Sequence, residues 1–141
     1  MNDPHTLSRV LRDNHTIAVV GLSAEPNRPS YQVAKYLRDH GYKIVPVNPK
    51  YPKILSQKSY PDLESIPFAV DMVDVFRKSQ DCASVAQQAV AIGARVLWLQ
   101  QGVVNEEACQ IALAAGLTVV MDRCVKIEHT KLVGDLGQAV A

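Results

Sequence analysis

Thr16-Ile17-Ala18-Val19-Val20-Gly21-Leu22-Ser23 joins an apolar run to a glycine turn near the start of the chain. The consecutive apolar residues Ile17 to Val20 read as a strand buried on both faces. Gly21 then permits a sharp turn and a close backbone approach to a ligand. Pro26, Asn27, Arg28 and Pro29 follow, and a helical pattern begins near Ser30. Strand, glycine turn and helix N-terminus together make an anion site. Free N–H groups and the positive end of the helix dipole face the same place. The turn is not the dinucleotide fingerprint. A G-x-G-x-x-G run would need glycine where this chain has Ser23 and Pro26. The expectation is a phosphate site that is not obviously built for NAD.

The rest of the chain fits one α/β domain over positions 1–141. Apolar residues make up 48% and charged residues 21%, which excludes disorder as the main state. The net charge of +1 encodes no general attraction to nucleic acid or to an anionic membrane, so any phosphate recognition is local. No apolar run approaches a membrane span, and the polar start of the chain lacks a signal-peptide core. The three cysteines, Cys82, Cys109 and Cys124, form no C-x-x-C pair. That argues against a disulfide framework or a structural zinc site, and a cytoplasmic location is the default expectation.

Strands are expected at Ile17–Val20, Lys43–Val47, Val70–Phe76, Arg95–Leu99 and Thr118–Met121. All are short, rich in Val, Ile and Leu, and without clean alternation, as in a parallel sheet covered on both faces. Helical patterns lie between them. One runs from Pro29 to a glycine stop at Gly41. One is capped by Ser79 or Asp81 and ends before Gly93, and one is capped by Asn105 and ends at Gly116. The rhythm of helix, glycine and strand is that of consecutive βα units. A proline-bearing segment, Lys50 to Pro67, breaks it, with one short strand or helix expected near Ser59–Ile66. A helix at Thr6–Asp13 and a helical tail from about Lys126 complete a three-layer Rossmann-like fold. Its sheet is mostly parallel and five- or six-stranded, with helices on both faces.

Ligands of open parallel sheets bind beyond the carboxyl ends of the strands. Those ends carry Ser23, Arg28, Asn48, Lys50, Arg77, Lys78, Gln101 and Arg123, a mostly cationic set that favours an anion. The second strand end discriminates best. NAD sites commonly place an acidic residue there to hold the ribose hydroxyls. Here Asn48 is followed by Pro49 and Lys50, and a lysine attracts a ribose phosphate that a carboxylate would repel. The expected ligand is a nucleotide with a phosphorylated ribose, coenzyme A or NADP. Phe76 suits either packing on an adenine or pantetheine arm or a place in the core.

The runs V-V-G-L-S at 19–23, P-V-N-P-K at 46–50, D-V-F-R at 74–77, Q-Q-G at 100–102 and D-R-C-V-K-I-E-H at 122–129 resemble those of a known family. They are similar, in order and over roughly Leu7 to Leu132, to the stand-alone CoA-binding proteins. These are relatives of the CoA-binding domain of the succinyl-CoA synthetase α subunit. The resemblance implies that Gly21, Leu22 and Ser23, with Arg28, hold the diphosphate of CoA or an acyl-CoA. It places Asn48, Pro49 and Lys50 near the ribose phosphate and adenine. It places Asp74, Phe76 and Arg77 along the pantetheine or adenine side, with Gln101 at the fourth strand end. It implies no ligase activity. The synthetase's phosphorylated histidine belongs to a further domain for which this chain is expected to have no room. A binding protein without a catalytic residue or metal of its own is the first reading, with a protein partner or a homodimer left open.

The alternative is a small enzyme, either NADP-linked or a thiol-dependent acyl-CoA enzyme. Cys124, Glu128 and His129 lie close in sequence at the last strand end, where a thiol beside a histidine can be a nucleophile. Most single cysteines beside a buried strand are core residues, and so are Cys82, Cys109 and Trp98 on this reading.

Overall fold

The computed structural model describes residues 2–140, with side chains described as far as 134. Helix α1 (Pro4–Asp13) leads into strand β1 (Thr16–Val20), helix α2 (Pro29–Asp39) and strand β2 (Lys43–Val47). A small hairpin of β3 (Lys53–Ile54) and β4 (Gln57–Lys58) and a 3₁₀ turn at Leu63–Ser65 come next. The chain continues through β5 (Met72–Val75), α3 (Cys82–Ala91), β6 (Val96–Leu99), α4 (Glu106–Ala114), β7 (Thr118–Val120) and α5 (Val125–Val140). Among the described residues no helix is long and apolar enough to cross a membrane.

The main sheet has five strands in the order β2-β1-β5-β6-β7, and every pairing is parallel. It is a Rossmann-like α/β fold. Successive residues of a strand point to opposite faces. Ala18 and Val20 of β1 therefore join Val73, Val75, Leu97 and Leu99 under α3 and α4. Ile17 and Val19 join Met72, Val96 and Trp98 under α1, α2 and α5. Trp98 is fully buried, and its indole Nε1 donates to the Arg123 carbonyl at 2.8 Å. This bond ties the middle of β6 to the turn before α5. The chain leaves β1 toward β2 on one side, and later strands fill the other side from β5 onward. The strand order reverses at the gap between β1 and β5, the place where open α/β sheets take ligands.

Several boundaries differ from the sequence expectation, each for a local reason. The run at Val70–Phe76 contributes only Met72–Val75 as strand. Asp71 before it turns its carboxylate to the N–H groups of His15 and Thr16, at 3.2 and 3.1 Å. Neither Ser79 nor Asp81 caps α3 with its side chain. Ser79 Oγ instead accepts from the Val104 N–H, and the Ser79 carbonyl accepts from Asn105 Nδ2. Asn105 does cap α4, accepting from the Ala108 N–H at 2.8 Å. The Lys50 to Pro67 segment holds the hairpin as well as the 3₁₀ turn, and Tyr60 bridges to Val47 at the open edge of β2. Helix α1 begins at Pro4, two residues before the expected start, because Asp3 accepts from the Thr6 N–H as its cap.

Candidate functional site

Gly21 closes the end of β1. Its N–H donates to the Val47 carbonyl at 3.0 Å, and its φ is +85°, in the left-handed region. A Cβ placed on it would lie 2.4 Å from the Phe76 carbonyl oxygen. The close approach that demands glycine is thus made by the chain's own next strand end.

Leu22 turns its side chain into the core, fully buried, and offers its carbonyl to Asn48 Nδ2 at 3.0 Å. Asn48 is saturated. Its Oδ1 accepts from the Lys50 N–H, its N–H donates to the Tyr60 carbonyl, and its own carbonyl accepts from Ser59 Oγ. The asparagine at the end of β2 therefore fixes the ends of β1 and β2 against each other. Ser23 is also tied into the loop: its N–H donates to Ser30 Oγ, and its Oγ accepts from the Glu25 N–H. No side chain caps α2, whose first residue is Pro29. Its first turn opens toward the loop with the positive end of the dipole.

Two clefts meet over this joint and share Gly21 and Asn48. One, of about 360 Å³, lies on the α3 side, between Pro49, Pro61 and Leu63 and the polar row Gln80, Ser84 and Gln88, with Arg77 at its mouth. The other, of about 490 Å³, lies at the start of α2 and is lined by Ser23, Glu25, Arg28, Lys50, Tyr51 and Phe76. Its cations are unequal. Arg28 Nε lies 3.1 Å from Glu25 Oε2, and Arg77 in the first cleft is paired with Asp81 at 3.4 Å. Among the described residues no ion pair engages Lys50.

The structure thus brings Gly21, Ser23, Arg28, Asn48, Pro49, Lys50, Phe76 and Arg77 around one pair of clefts. Leu22 lines neither cleft, and its backbone carbonyl holds the Asn48 amide beneath them. Gln101 is exposed and lines neither cleft, whereas its neighbour Gln100 is buried. Asp74 also lines neither cleft: it is fully buried, and Gln100 Nε2 donates to its Oδ1 at 2.5 Å. Burial pushes the Asp74 carboxyl up to about 7, against a smaller opposing effect of the Gln100 hydrogen bond.

Sequence reasoning missed Tyr51 and the row Gln80, Ser84 and Gln88. The row was legible as polar residues four apart, the spacing of one helix face. Cys124 is half-buried and packs against the core under α2. Glu128 pairs with Lys131 at 3.6 Å. His129 is buried with Nδ1 2.8 Å from the Tyr36 hydroxyl, and burial holds its imidazole below the usual histidine range. Cys124 and His129 hold the start of α5 against the body of the protein, Glu128 pairs within α5 itself, and none of the three lines either cleft. Among the described residues no group of three or more His, Cys, Asp or Glu side chains is placed to hold a metal ion.

The clefts lie beyond the carboxyl ends of β1, β2 and β5 in a parallel sheet, the position at which open α/β folds take ligands. Comparison with known proteins narrows the class. The model of the CoA binding domain matches residues 15–130, and the chain belongs to that family. It is 43% identical over 123 residues to the uncharacterized protein YneT of Bacillus subtilis, covering 87% of this chain and 91% of that one. The solved structure of a hypothetical protein from Pyrococcus horikoshii superposes with a TM-score of 0.90. It is 39% identical and covers 93% of this chain and 92% of that one. The α subunit of the ADP-forming acetate–CoA ligase II of Pyrococcus furiosus is 29% identical over 126 residues. That match takes in 81% of this chain but 27% of the subunit. What such ligases do as whole proteins therefore belongs to a much longer chain.

Proposed function

We propose that the protein binds coenzyme A or an acyl-CoA across the two clefts and carries out no reaction of its own on it. The observation that carries this reading is the meeting of the clefts at Gly21 and Asn48, beside an uncapped helix start. A nucleotide laid over that joint puts its diphosphate at the Ser23 loop and the first turn of α2, where backbone N–H groups and the dipole favour anions. Its ribose phosphate falls beside Lys50, which is free of an acidic partner among the described residues. Its adenine enters the α3-side cleft, where Gln80 and Gln88 offer amide groups to the ring edge and Pro49 and Leu63 offer apolar faces. Tyr51 and Phe76 line the way out along the other cleft, toward the pantetheine arm. Charge at Lys50 alone would suit NADP equally well. The family match supports CoA.

Calorimetric titration with CoA, acetyl-CoA and NADP tests the reading. Binding of CoA and acetyl-CoA, with no heat from NADP at the same concentrations, is the expected result. A protein that takes up NADP but neither CoA species overturns it. Incubation with acetyl-CoA is expected to leave the thioester intact.

A further inference from the structure

Asp74 is the strand-end residue that neither cleft accounts for. It lies in the middle strand of the sheet, paired in register with Val19 on one side and Trp98 on the other. Alternation along β5 sets it between Met72 and Phe76 on the face covered by α1, α2 and α5. One carboxyl oxygen is held by Gln100, and the other, Oδ2, is buried with no hydrogen-bond partner. A buried polar atom left alone costs about 1–3 kcal/mol, so such atoms call for a reason. The other such side-chain atom among the described residues, Asn14 Oδ1, belongs to the residue ending α1, which precedes β1 at the amino end of the sheet. Asp74 lies instead at the carboxyl end, where the ligand is expected.

The groups around Asp74 do not neutralise it. Trp98 spends its N–H on the Arg123 carbonyl. Arg123 turns a guanidinium nitrogen back to the Asp122 carbonyl, and Arg77 turns to Asp81. Cys124 stands at the start of α5 on the same core, while Glu25, Arg28, Lys50 and Tyr51 lie out in the cleft. Phe76 is the next side chain on the Asp74 face toward the strand end. It is half-buried and lines the cleft at α2. On this face it is the side chain that follows Asp74 along the strand toward the cleft.

We infer that Asp74 is the receptor for an amide N–H of the ligand's pantetheine arm, reached when Phe76 swings aside, and that this contact releases the Asp74 proton to solvent. The inference rests on the CoA reading above. In the free protein burial without a cation raises the carboxyl to about 7, so the neutral acid predominates below that pH. A donor arriving at Oδ2 supplies the hydrogen bond that stabilises the carboxylate, so the bound state favours the ionised form. The proton balance is one lost from Asp74 and one gained by buffer, with no bond of the ligand broken. Affinity then rises with pH through the range in which free Asp74 is protonated and levels off above it.

The test is calorimetry of CoA binding at pH 6.5 in buffers of different ionisation heat, which counts protons released. Adenosine 3′-phosphate 5′-(methyl diphosphate), which keeps the ribose phosphate and the esterified diphosphate of CoA but lacks the arm, serves as the reference because the ribose phosphate titrates in the same range. Wild-type protein is expected to release about half a proton or more per CoA beyond that reference, and Asp74→Asn to release no excess. An infrared difference spectrum of the wild type on CoA addition should show loss of a protonated-carboxyl band, a readout that does not depend on the variant folding. Tight CoA binding with no excess release and no band change overturns the inference and leaves the CoA reading standing. Absence of CoA binding overturns both.

Discussion

Gly21→Ala is expected to destabilise the protein by about 3 kcal/mol or more, lowering its urea midpoint sharply with little change in slope. Two costs combine. The left-handed backbone at φ +85° disfavours any side chain with a Cβ, by roughly 1–2 kcal/mol. The new methyl also meets the Phe76 carbonyl oxygen at 2.4 Å, a backbone atom that cannot rotate away. Relief requires parting the ends of β1 and β5, and the Phe76 N–H bond to the Val20 carbonyl lies in that gap. CoA binding should fail with the fold rather than before it. An alanine variant with the wild-type midpoint and weakened CoA binding would show that the glycine serves the ligand instead.

Lys50→Glu is expected to weaken CoA binding about 30-fold, near 2 kcal/mol, while changing dephospho-CoA binding far less. The lysine is exposed, so its attraction to a ribose phosphate is worth about 1 kcal/mol, and reversal adds a repulsion of similar size. The effect should shrink as salt rises, since charges this exposed are screened. Unfolding midpoints should stay within a few tenths of a kcal/mol of wild type, because Lys50 uses only its backbone N–H to hold Asn48. Equal losses for both ligands would move the lysine to the diphosphate. Unchanged CoA affinity would remove it from the site.

The five strands and the helices between them were legible because each strand is a short apolar run bounded by glycine or polar residues. Periodicity and caps carry that much. The β3–β4 hairpin was not legible. Its turn residues, Leu55 and Ser56, both have positive φ, at 53° and 61°. Such turns usually announce themselves with Asn-Gly or Asp-Gly, and this pair carries no such mark. Leu55 tolerates the strain because its side chain is buried against the core under α2.

The site was legible as a set of strand ends but not as a set of roles. Asn48 reads in sequence as a ligand contact, yet both ends of its amide are spent on Leu22 and Lys50. Arg28 and Arg77 read as free cations, and each has an acidic neighbour three or four residues along the chain. Asp74 and Phe76 look like consecutive polar and aromatic lining. Strand alternation sets them on one face, the first beneath the second. Distances of this kind depend on which strands are neighbours, which a single sequence does not state.

CoA is proposed to lie across the ends of β1 and β2 with one end in each cleft. Chemical-shift mapping of backbone amides during CoA titration tests it most directly. Saturable shifts are expected at Gly21–Ser23, Ser30, Lys50–Tyr51, Phe76–Arg77 and Gln80–Ser84, on both sides of the sheet, with residues around His129 unmoved. Shifts confined to one cleft, or centred on α5 and Cys124, would contradict it.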